Sequence, residues 1–189
     1  MQMFTSKKTT LKRKLKRGLQ DHPDLYTKKS IIEGLGLFST KKLIQGSLIA
    51  PFDGDFFSAE NDEDLPEHER GFPIQIDENL VQSCLGLAGM SNHSCNPNAG
   101  LRQVNGFYWI VARRDIEKHE EICWDYSMSQ WMNNFVFYPF TYCFCRFEAC
   151  RKHQLGAESL EQKIVQEYLI EGWCTAFIRE KFCEVRKII

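Results

Sequence analysis

The pattern of apolar and polar positions divides the chain into a β-rich stretch and a helical C-terminus. From Leu25 onward, short apolar and β-branched runs are separated by Gly, Pro, Asn and Asp, which is typical of short strands joined by turns. The polar stretch 58–70 is expected to be a loop or a short helix. The predicted strands are residues 29–33, 37–39, 47–52, 72–76, 106–112 and 121–124.

Near Ser159 the apolar residues begin to recur every three or four positions, as in an amphipathic helix. They are Leu160, Ile164, Tyr168, Leu169, Trp173, Phe177, Ile178, Phe182 and Val185. The pattern predicts one or two helices, with Gly172 as the interruption. Packing of these helices on the domain's own core is the default interpretation, and a dimer surface is the alternative.

The net charge of −1 conceals a segregation of charges along the chain. Residues 1–24, predicted to be an arm with a helix around residues 11–19, are rich in Lys and Arg, and residues 53–69 carry eight carboxylates. A solvated tail and a solvated loop are the plain interpretations. The functional ones are an arm for nucleic acid or nuclear import, and an acidic surface that attracts a basic peptide.

The eight cysteines are expected to be thiols rather than disulfides. The sequence contains no apolar run of membrane-spanning length, and its basic N-terminus does not resemble a signal peptide. These features indicate a reducing compartment, in which clustered cysteines suggest a metal site.

Three of the cysteines, Cys143, Cys145 and Cys150, lie within eight residues of one another. This spacing suits a knuckle around a tetrahedral zinc ion, and a closed structural zinc site needs four ligands. Cys95 lies in a turn-rich stretch that could present it to a metal. The candidates for the fourth ligand are Cys84, Cys95, Cys123, Cys174, Cys183 and His153.

Four motifs, in this order, resemble the SET-domain protein lysine methyltransferases. Residues 33–38 (EGLGLF) resemble the glycine loop of that family, and residues 92–98 (NHSCNPN) resemble its NHSC signature. Residues 120–126 (EEICWDY) resemble its GEEL-xxDY segment, and residues 143–150 resemble its post-SET zinc knuckle.

The resemblance implies a mainly β (α+β) SET fold, with short strands in small sheets and a knot-like C-terminal crossing. The implied division is a basic arm (1–24), a SET domain (25–141), a post-SET knuckle (142–155) and a C-terminal helical extension (156–189). The implied cofactors are S-adenosylmethionine and one structural Zn²⁺. The implied zinc ligands are Cys95, Cys143, Cys145 and Cys150.

The same resemblance implies roles for individual residues. Tyr126 is the catalytic tyrosine, and Phe52 and Trp124 line the lysine channel that limits the product state. Phe147 is an alternative to Phe144 as a cover for the adenine. The expected cofactor-binding residues are Gly34, Leu35, Gly36, Phe72, Asn92, His93, Tyr126 and Phe144.

The sequence departs from the family pattern at several positions. Phe52 and Phe72 lack hydroxyls that the family often has, Gly89 stands in place of an arginine, and His119 replaces a glycine. Trp124 is bulkier than the family's Phe or Tyr, which favours mono- or dimethylation as a hypothesis.

The expected function is S-adenosylmethionine-dependent methylation of lysine on a basic protein such as a histone tail. The expected location is the nucleus, or the host nucleus for a viral or bacterial protein, and otherwise the cytoplasm. The arm is a candidate contact for DNA or the nucleosome, and no membrane partner is expected. The alternatives are a catalytically inactive SET-like module that binds chromatin or nucleic acid, and a zinc protein of unrelated β fold.

Overall fold

A computed structural model of the chain describes residues 22–58, 65–66, 73–84, 86–131, 142–154 and 156–186. Ten short strands, β1–β10 in chain order, form three small sheets in these residues, and two helices, α1 and α2, follow them. The prediction of a mainly β fold with C-terminal helices is confirmed. The predicted basic arm up to residue 21, Phe72 and most of the acidic segment lie outside the described residues.

The three sheets contain four, three and three strands. In spatial order, the first is β1 (Leu25–Lys29), β2 (Leu35–Ser39), β10 (Glu121–Trp124) and β7 (Asn92–His93). The second is β3 (Leu48–Pro51), β9 (Phe107–Ala112) and β8 (Ala99–Val104). The third is β4 (Phe56–Ser58), β6 (Leu80–Gln82) and β5 (Ile74–Asp77). Only β7 and β10 pair in parallel among these strands.

The predicted strand over residues 29–33 is wrong, because β1 ends at Lys29 and a turn follows. The Ser30 hydroxyl oxygen accepts a hydrogen bond from the backbone N–H of Ile32 at 2.8 Å. This local bond competes with strand pairing. Ile31 is 69% exposed, so its side chain does not face the core. The other predicted strands overlap β2, β3, β5, β9 and β10.

Strands β8 and β9 form a hairpin around Asn105 and Gly106, both of which have positive φ (52° and 86°). Two-residue loops with positive φ match the twist of paired strands, and Asn-Gly is the preferred sequence for them. The hairpin contributes to the core, where Leu101 and Ile110 are paired and have no exposed surface.

The C-terminal extension forms α1 (Gln162–Glu171) and α2 (Ala176–Arg186), separated by Gly172 in the left-handed region. A left-handed residue at a helix C-terminus is best filled by glycine, because it has no Cβ. Both helices pack on the same core as the sheets, which confirms the default interpretation of the apolar period; the residues involved are Leu160, Val165, Tyr168, Trp173, Phe177, Ile178 and Phe182. Within the described residues, no helix is both long and apolar enough to cross a bilayer.

Candidate active site and metal centre

The parallel pairing of β7 with β10 brings the Asn-His pair of residues 92–93 beside the strand that leads to Tyr126. The Asn92 side-chain amide donates to the carbonyl oxygens of Glu33 and Leu35, at 3.0 and 3.2 Å. The same amide nitrogen lies 2.7 Å from a carboxylate oxygen of Glu121. Asn92 therefore joins the glycine loop to the central strand β10.

The glycine loop lies against Glu121 and needs glycine at two positions. Gly34 has φ of 51°, a conformation that few other residues adopt without strain. At Gly36 a side chain would overlap the carboxylate of Glu121, so the close approach requires a residue without Cβ. The Ser30 hydroxyl donates to that carboxylate at 2.7 Å, so both ends of the loop are tied to β10.

Tyr126 is held at its backbone and at its hydroxyl. Its hydroxyl donates to the carbonyl oxygen of Ser91 at 3.0 Å, and its backbone N–H donates to Nδ1 of His93 at 3.2 Å. Burial raises the pKa of the Tyr126 phenol well above its ordinary value. At neutral pH the phenol therefore stays protonated and acts as a hydrogen-bond donor rather than as a base.

An aromatic wall adjoins Tyr126. The Trp124 ring lies 4.8 Å from the Tyr126 ring and 5.8 Å from the Phe52 ring, measured between centroids. Phe52 and Trp124 are both buried, at 1% and 4% exposure. The Trp124 indole N–H is buried and has no hydrogen-bond partner in the described part of the chain. The two predicted channel residues therefore meet beside Tyr126.

The thiols of Cys95, Cys143, Cys145 and Cys150 converge, with all four sulfur atoms within 4.8 Å of one another. The Cys95 sulfur lies 3.7 Å from that of Cys143 and 3.9 Å from that of Cys150. A tetrahedral zinc ion with Zn–S bonds of about 2.3 Å places its sulfur ligands about 3.8 Å apart. The cluster thus fits one zinc ion, as a post-SET site requires.

This grouping selects Cys95 among the candidates for the fourth ligand. The chain from Tyr142 to His153 closes into a knuckle through a bridge between those two residues. Arg146 and Lys152 adopt positive φ, which tightens the knuckle around its thiols. The five other candidates lie outside the metal-binding group of the described residues; they are Cys84, Cys123, Cys174, Cys183 and His153.

His93 links this cluster to the tyrosine. Because the Tyr126 amide donates to Nδ1, the proton of the ring lies on Nε2, which is 3.5 Å from the Cys95 sulfur. A hydrogen bond from the Cys143 thiol, aided by His93, lowers the pKa of Cys95 despite its partial burial, and the same bond raises the pKa of Cys143. Thiolate is the form that binds zinc. The His93 imidazole is thus directed at the cluster, and its contact with a cofactor stays a prediction.

Comparison with known proteins matches residues 34–127 to the SET domain. This chain contains a SET domain. The match includes the glycine loop, the NHSC signature and Tyr126, and it ends before the cysteine knuckle and the C-terminal helices.

Several relatives contain similar stretches. The variant-silencing SET domain-containing protein of Plasmodium falciparum is 29% identical over 164 residues, covering 76% of this chain and 6% of that protein. The histone-lysine N-methyltransferase trr of Drosophila melanogaster is 28% identical over 136 residues, covering 66% and 6%. An H3 lysine-4 specific histone-lysine N-methyltransferase of Aspergillus oryzae is 28% identical over 137 residues, covering 65% and 11%. The chain therefore corresponds to a small part of each relative.

Two departures from the SET pattern have a structural explanation. A side chain at Gly89 would overlap the carbonyl oxygen of Cys84, so the backbone leaves no room for the arginine of the family. His119, where the family has glycine, has φ of 67°, a conformation that favours glycine. Its ring nitrogen is hydrogen-bonded to the Tyr26 hydroxyl at 2.8 Å, which offsets part of the strain.

The two knuckle phenylalanines, for which the resemblance implies a role as an adenine cover, are both exposed. Phe144 is 54% exposed and Phe147 is 37% exposed. Their neighbour Cys145 lies in the metal-binding cluster. Either ring therefore offers an open aromatic face next to the metal centre.

Sequence reasoning missed the contacts of Asp125, a carboxylate with no exposed surface. Arg151 donates two hydrogen bonds to it, at 2.7 and 2.8 Å, and the Tyr168 hydroxyl donates a third at 2.7 Å. Asp125 belongs to the xxDY motif, and Arg151 directly follows the last cysteine of the knuckle. Both residues therefore lie in or beside motifs that the sequence already singles out. Tyr168 had only its helical period, which indicates core packing and not a role at the site.

Native stability is expected to fall when the pH rises above about 10. Burial raises the pKa of Tyr126 and of Tyr168 above their ordinary value of 10.0. The folded protein keeps both phenols protonated while the unfolded chain ionises them. Their contribution is therefore fully present below pH 10 and is lost as the pH rises beyond it. Urea unfolding at pH 8, 9, 10 and 11 measures this, and a midpoint that stays constant to pH 11 contradicts it.

Proposed function

We propose that this SET domain transfers methyl groups from S-adenosylmethionine to lysine side chains of a basic protein, most specifically a histone tail. The relatives named as histone-lysine N-methyltransferases support this proposal. Their similarity to this chain is modest, so the site itself carries the argument.

The observation that carries the proposal is the convergence of three motifs on one place. Tyr126 reaches back to the carbonyl of Ser91, and the next residue, Asn92, reaches the glycine loop. The strand pairing of β7 with β10 makes this possible. A tyrosine hydroxyl, a side-chain amide and a backbone loop thus lie close together, and the reacting methyl group and amine are proposed to meet beside them.

The residues present fit the proposed cofactor. A Cβ at Gly34 would meet no atom within 4 Å, so the loop has open space beside it. Phe144 offers an exposed ring that could cover an adenine. We propose that Gly34, Leu35, Gly36, Asn92, His93, Tyr126 and Phe144 hold S-adenosylmethionine, together with Phe72, which lies outside the described residues.

The bound cofactor supplies a methyl group on a positively charged sulfur. The protein must align the lysine amine with that group and favour the neutral amine, because a free lysine is protonated near pH 7. The buried faces of Phe52 and Trp124 exclude water from the channel and so disfavour the ammonium form. The Tyr126 hydroxyl and nearby carbonyl oxygens orient the reactants, and no strong base is required of the protein.

A basic substrate is proposed from the acidic segment of residues 53–69. Asp53 and Asp55 are its carboxylates within the described residues, and they lie one and three positions after Phe52. Carboxylates at this place favour a lysine flanked by other basic residues. A histone substrate also supports a nuclear location.

Incubation of the protein with core histones and radiolabelled S-adenosylmethionine tests the proposal. We expect label on at least one histone, and a peptide array then identifies the sequence that surrounds the lysine. Calorimetry provides a separate measurement of cofactor binding. Absence of transfer to every basic protein, together with absence of cofactor binding, would overturn the proposal and favour an inactive SET-like module.

The product is expected to be mono- or dimethyl-lysine, because the bulky Trp124 ring packs against Tyr126 and Phe52, where we propose that the lysine channel lies. The Trp124→Phe variant should reach a higher methylation state, since phenylalanine leaves room for additional methyl groups. Trp131→Phe is the matched control, because Trp131 is similarly buried but packs against Phe182. Mass spectra of a peptide product measure the state, and trimethyl product from the unmodified enzyme contradicts the prediction.

A further inference from the structure

Asp125 is the meeting point of three parts of the chain that are distant in sequence. It precedes Tyr126, and it contacts Arg151 of the knuckle and Tyr168 of helix α1. One of its carboxylate oxygens also lies 3.5 Å from Nδ1 of His93. Helix α1 lies outside the SET domain match, which ends at residue 127.

The carboxylate of Asp125 organises the turn that carries Tyr126. It accepts a hydrogen bond from the backbone N–H of Ser127 at 3.1 Å and thereby caps the single helical turn Tyr126–Met128. A cap of this kind satisfies one of the backbone donors at the start of a helical turn. The orientation of the carboxylate therefore influences the backbone of Tyr126.

A buried carboxylate keeps its orientation only while its oxygens are satisfied. Burial acts to raise the pKa of Asp125, but the charge and hydrogen bonds of Arg151 and the hydrogen bond from Tyr168 lower it, so the group is charged. The Tyr168 hydroxyl completes its hydrogen bonds from the side of α1. Both Tyr168 and Arg151 have little exposure, so water is a poor substitute for either donor.

The helical extension is docked to the same turn by its backbone. The N–H of Thr175, at the start of α2, donates to the carbonyl oxygen of Met128 at 2.9 Å. The N–H of Ala157 donates to the carbonyl oxygen of Gln130 at 2.7 Å. These bonds place α1 at a defined distance from Asp125, so the Tyr168 hydroxyl has a fixed target.

We propose that Tyr168 is a positioning residue for Tyr126, acting through the carboxylate of Asp125, so that the C-terminal helical extension is part of the active site. The inference deepens the proposed function and rests on it for its kinetic consequences. Its structural half, the control of the Tyr126 turn by a hydroxyl on α1, stands on the hydrogen bonds alone.

The test compares Tyr168→Phe with Tyr108→Phe. Tyr108 is equally buried, and its hydroxyl also ties the extension to the sheets, but it accepts from the N–H of Ala176 and does not touch Asp125. Each variant removes one hydroxyl at the interface between the extension and the sheets. Only the first removes a hydrogen bond of Asp125.

Amide hydrogen exchange, measured residue by residue, is the first readout. In Tyr168→Phe we expect exchange of the Ser127 amide to become about tenfold faster and that of Ala176 to stay unchanged. Tyr108→Phe should give the opposite pattern. Equal acceleration of both amides in both variants, or no acceleration of Ser127 in Tyr168→Phe, overturns the proposal.

Steady-state kinetics on a histone substrate is the second readout. Tyr168→Phe should lower kcat about tenfold, because a displaced Tyr126 turn misaligns the reactants, while KM stays within about twofold. Tyr108→Phe should keep kcat within about twofold of the unmodified enzyme. A fall in kcat of the same size in both variants overturns the proposal. If the unmodified protein transfers no methyl group, the proposed function fails, and the exchange experiment still decides the role of Tyr168.

Discussion

Removal of zinc is expected to unfold the cysteine knuckle and to lower methyl transfer at least about 100-fold, because structural zinc contributes about 10 kcal/mol or more in small zinc domains. Cys95 belongs to the NHSC motif, and His93 connects its sulfur to the backbone of Tyr126. Loss of the ion is therefore expected to loosen the contact between His93 and the backbone of Tyr126, as well as to unfold the knuckle.

Chelation followed by a colorimetric zinc assay and circular dichroism measures this effect. One zinc ion per chain should be released as activity is lost. Cys150→Ser should reproduce the loss, since its thiol belongs to the cluster. Cys183→Ser is the control, because Cys183 is exposed on α2 and lies outside the cluster. Full folding and activity after complete removal of zinc would show that the site is not structural.

The second large effect is expected from Tyr126→Phe, which removes one hydroxyl. We expect kcat to fall at least about 100-fold, comparable with the loss of a single preorganised polar group in other enzymes. The bond to the Ser91 carbonyl contributes about 1 kcal/mol to stability, so the variant should remain folded. Cofactor binding should be largely retained, because the phenyl ring stays in place.

Steady-state kinetics and thermal unfolding, measured on the same samples, distinguish the expected loss of kcat from any loss of stability. Tyr142→Phe is the matched control, since Tyr142 is 62% exposed and lies at the edge of the knuckle. Its activity and stability should both be unchanged. Activity of Tyr126→Phe within a few-fold of the unmodified enzyme would remove the tyrosine from the mechanism.

Much of the site was predictable because its residues lie in short motifs. The spacing of Cys143, Cys145 and Cys150 indicates a metal by itself, since few other structures need three thiols so close together. The choice of Cys95 as the fourth ligand came from the resemblance, and the structure places its sulfur within 4.8 Å of the other three thiols. The pairing of Asn92 with the glycine loop could not be predicted from spacing, because it depends on a parallel strand pair only two residues long.

The fold was less predictable where local signals were weak or misleading. Strand β8 contains few β-branched residues, so its apolar pattern is faint, although the Asn105-Gly106 turn before β9 was a usable signal for a hairpin. At residues 29–33, by contrast, the sequence predicted a strand that the structure does not contain. The pair Ile31-Ile32 has high strand propensity, but Ser30 bonds to the following backbone and turns the chain.

The role of Tyr168 lay beyond sequence reasoning for a physical reason. A helical period shows which face of α1 is buried, but it does not distinguish a tyrosine packed only by its ring from one whose hydroxyl meets a charge. The partner, Asp125, is separated from it by 43 positions. Only the packing of α1 against the turn of Tyr126 brings the two groups together.

The central claim is that this SET domain methylates lysine through a site built around Tyr126. Tandem mass spectrometry of histone incubated with the protein and S-adenosylmethionine tests it most directly. We expect methyl groups on lysine side-chain nitrogen from the unmodified protein and almost none from Tyr126→Phe. Methylation confined to other residue types, or equal lysine methylation by both proteins, would contradict it.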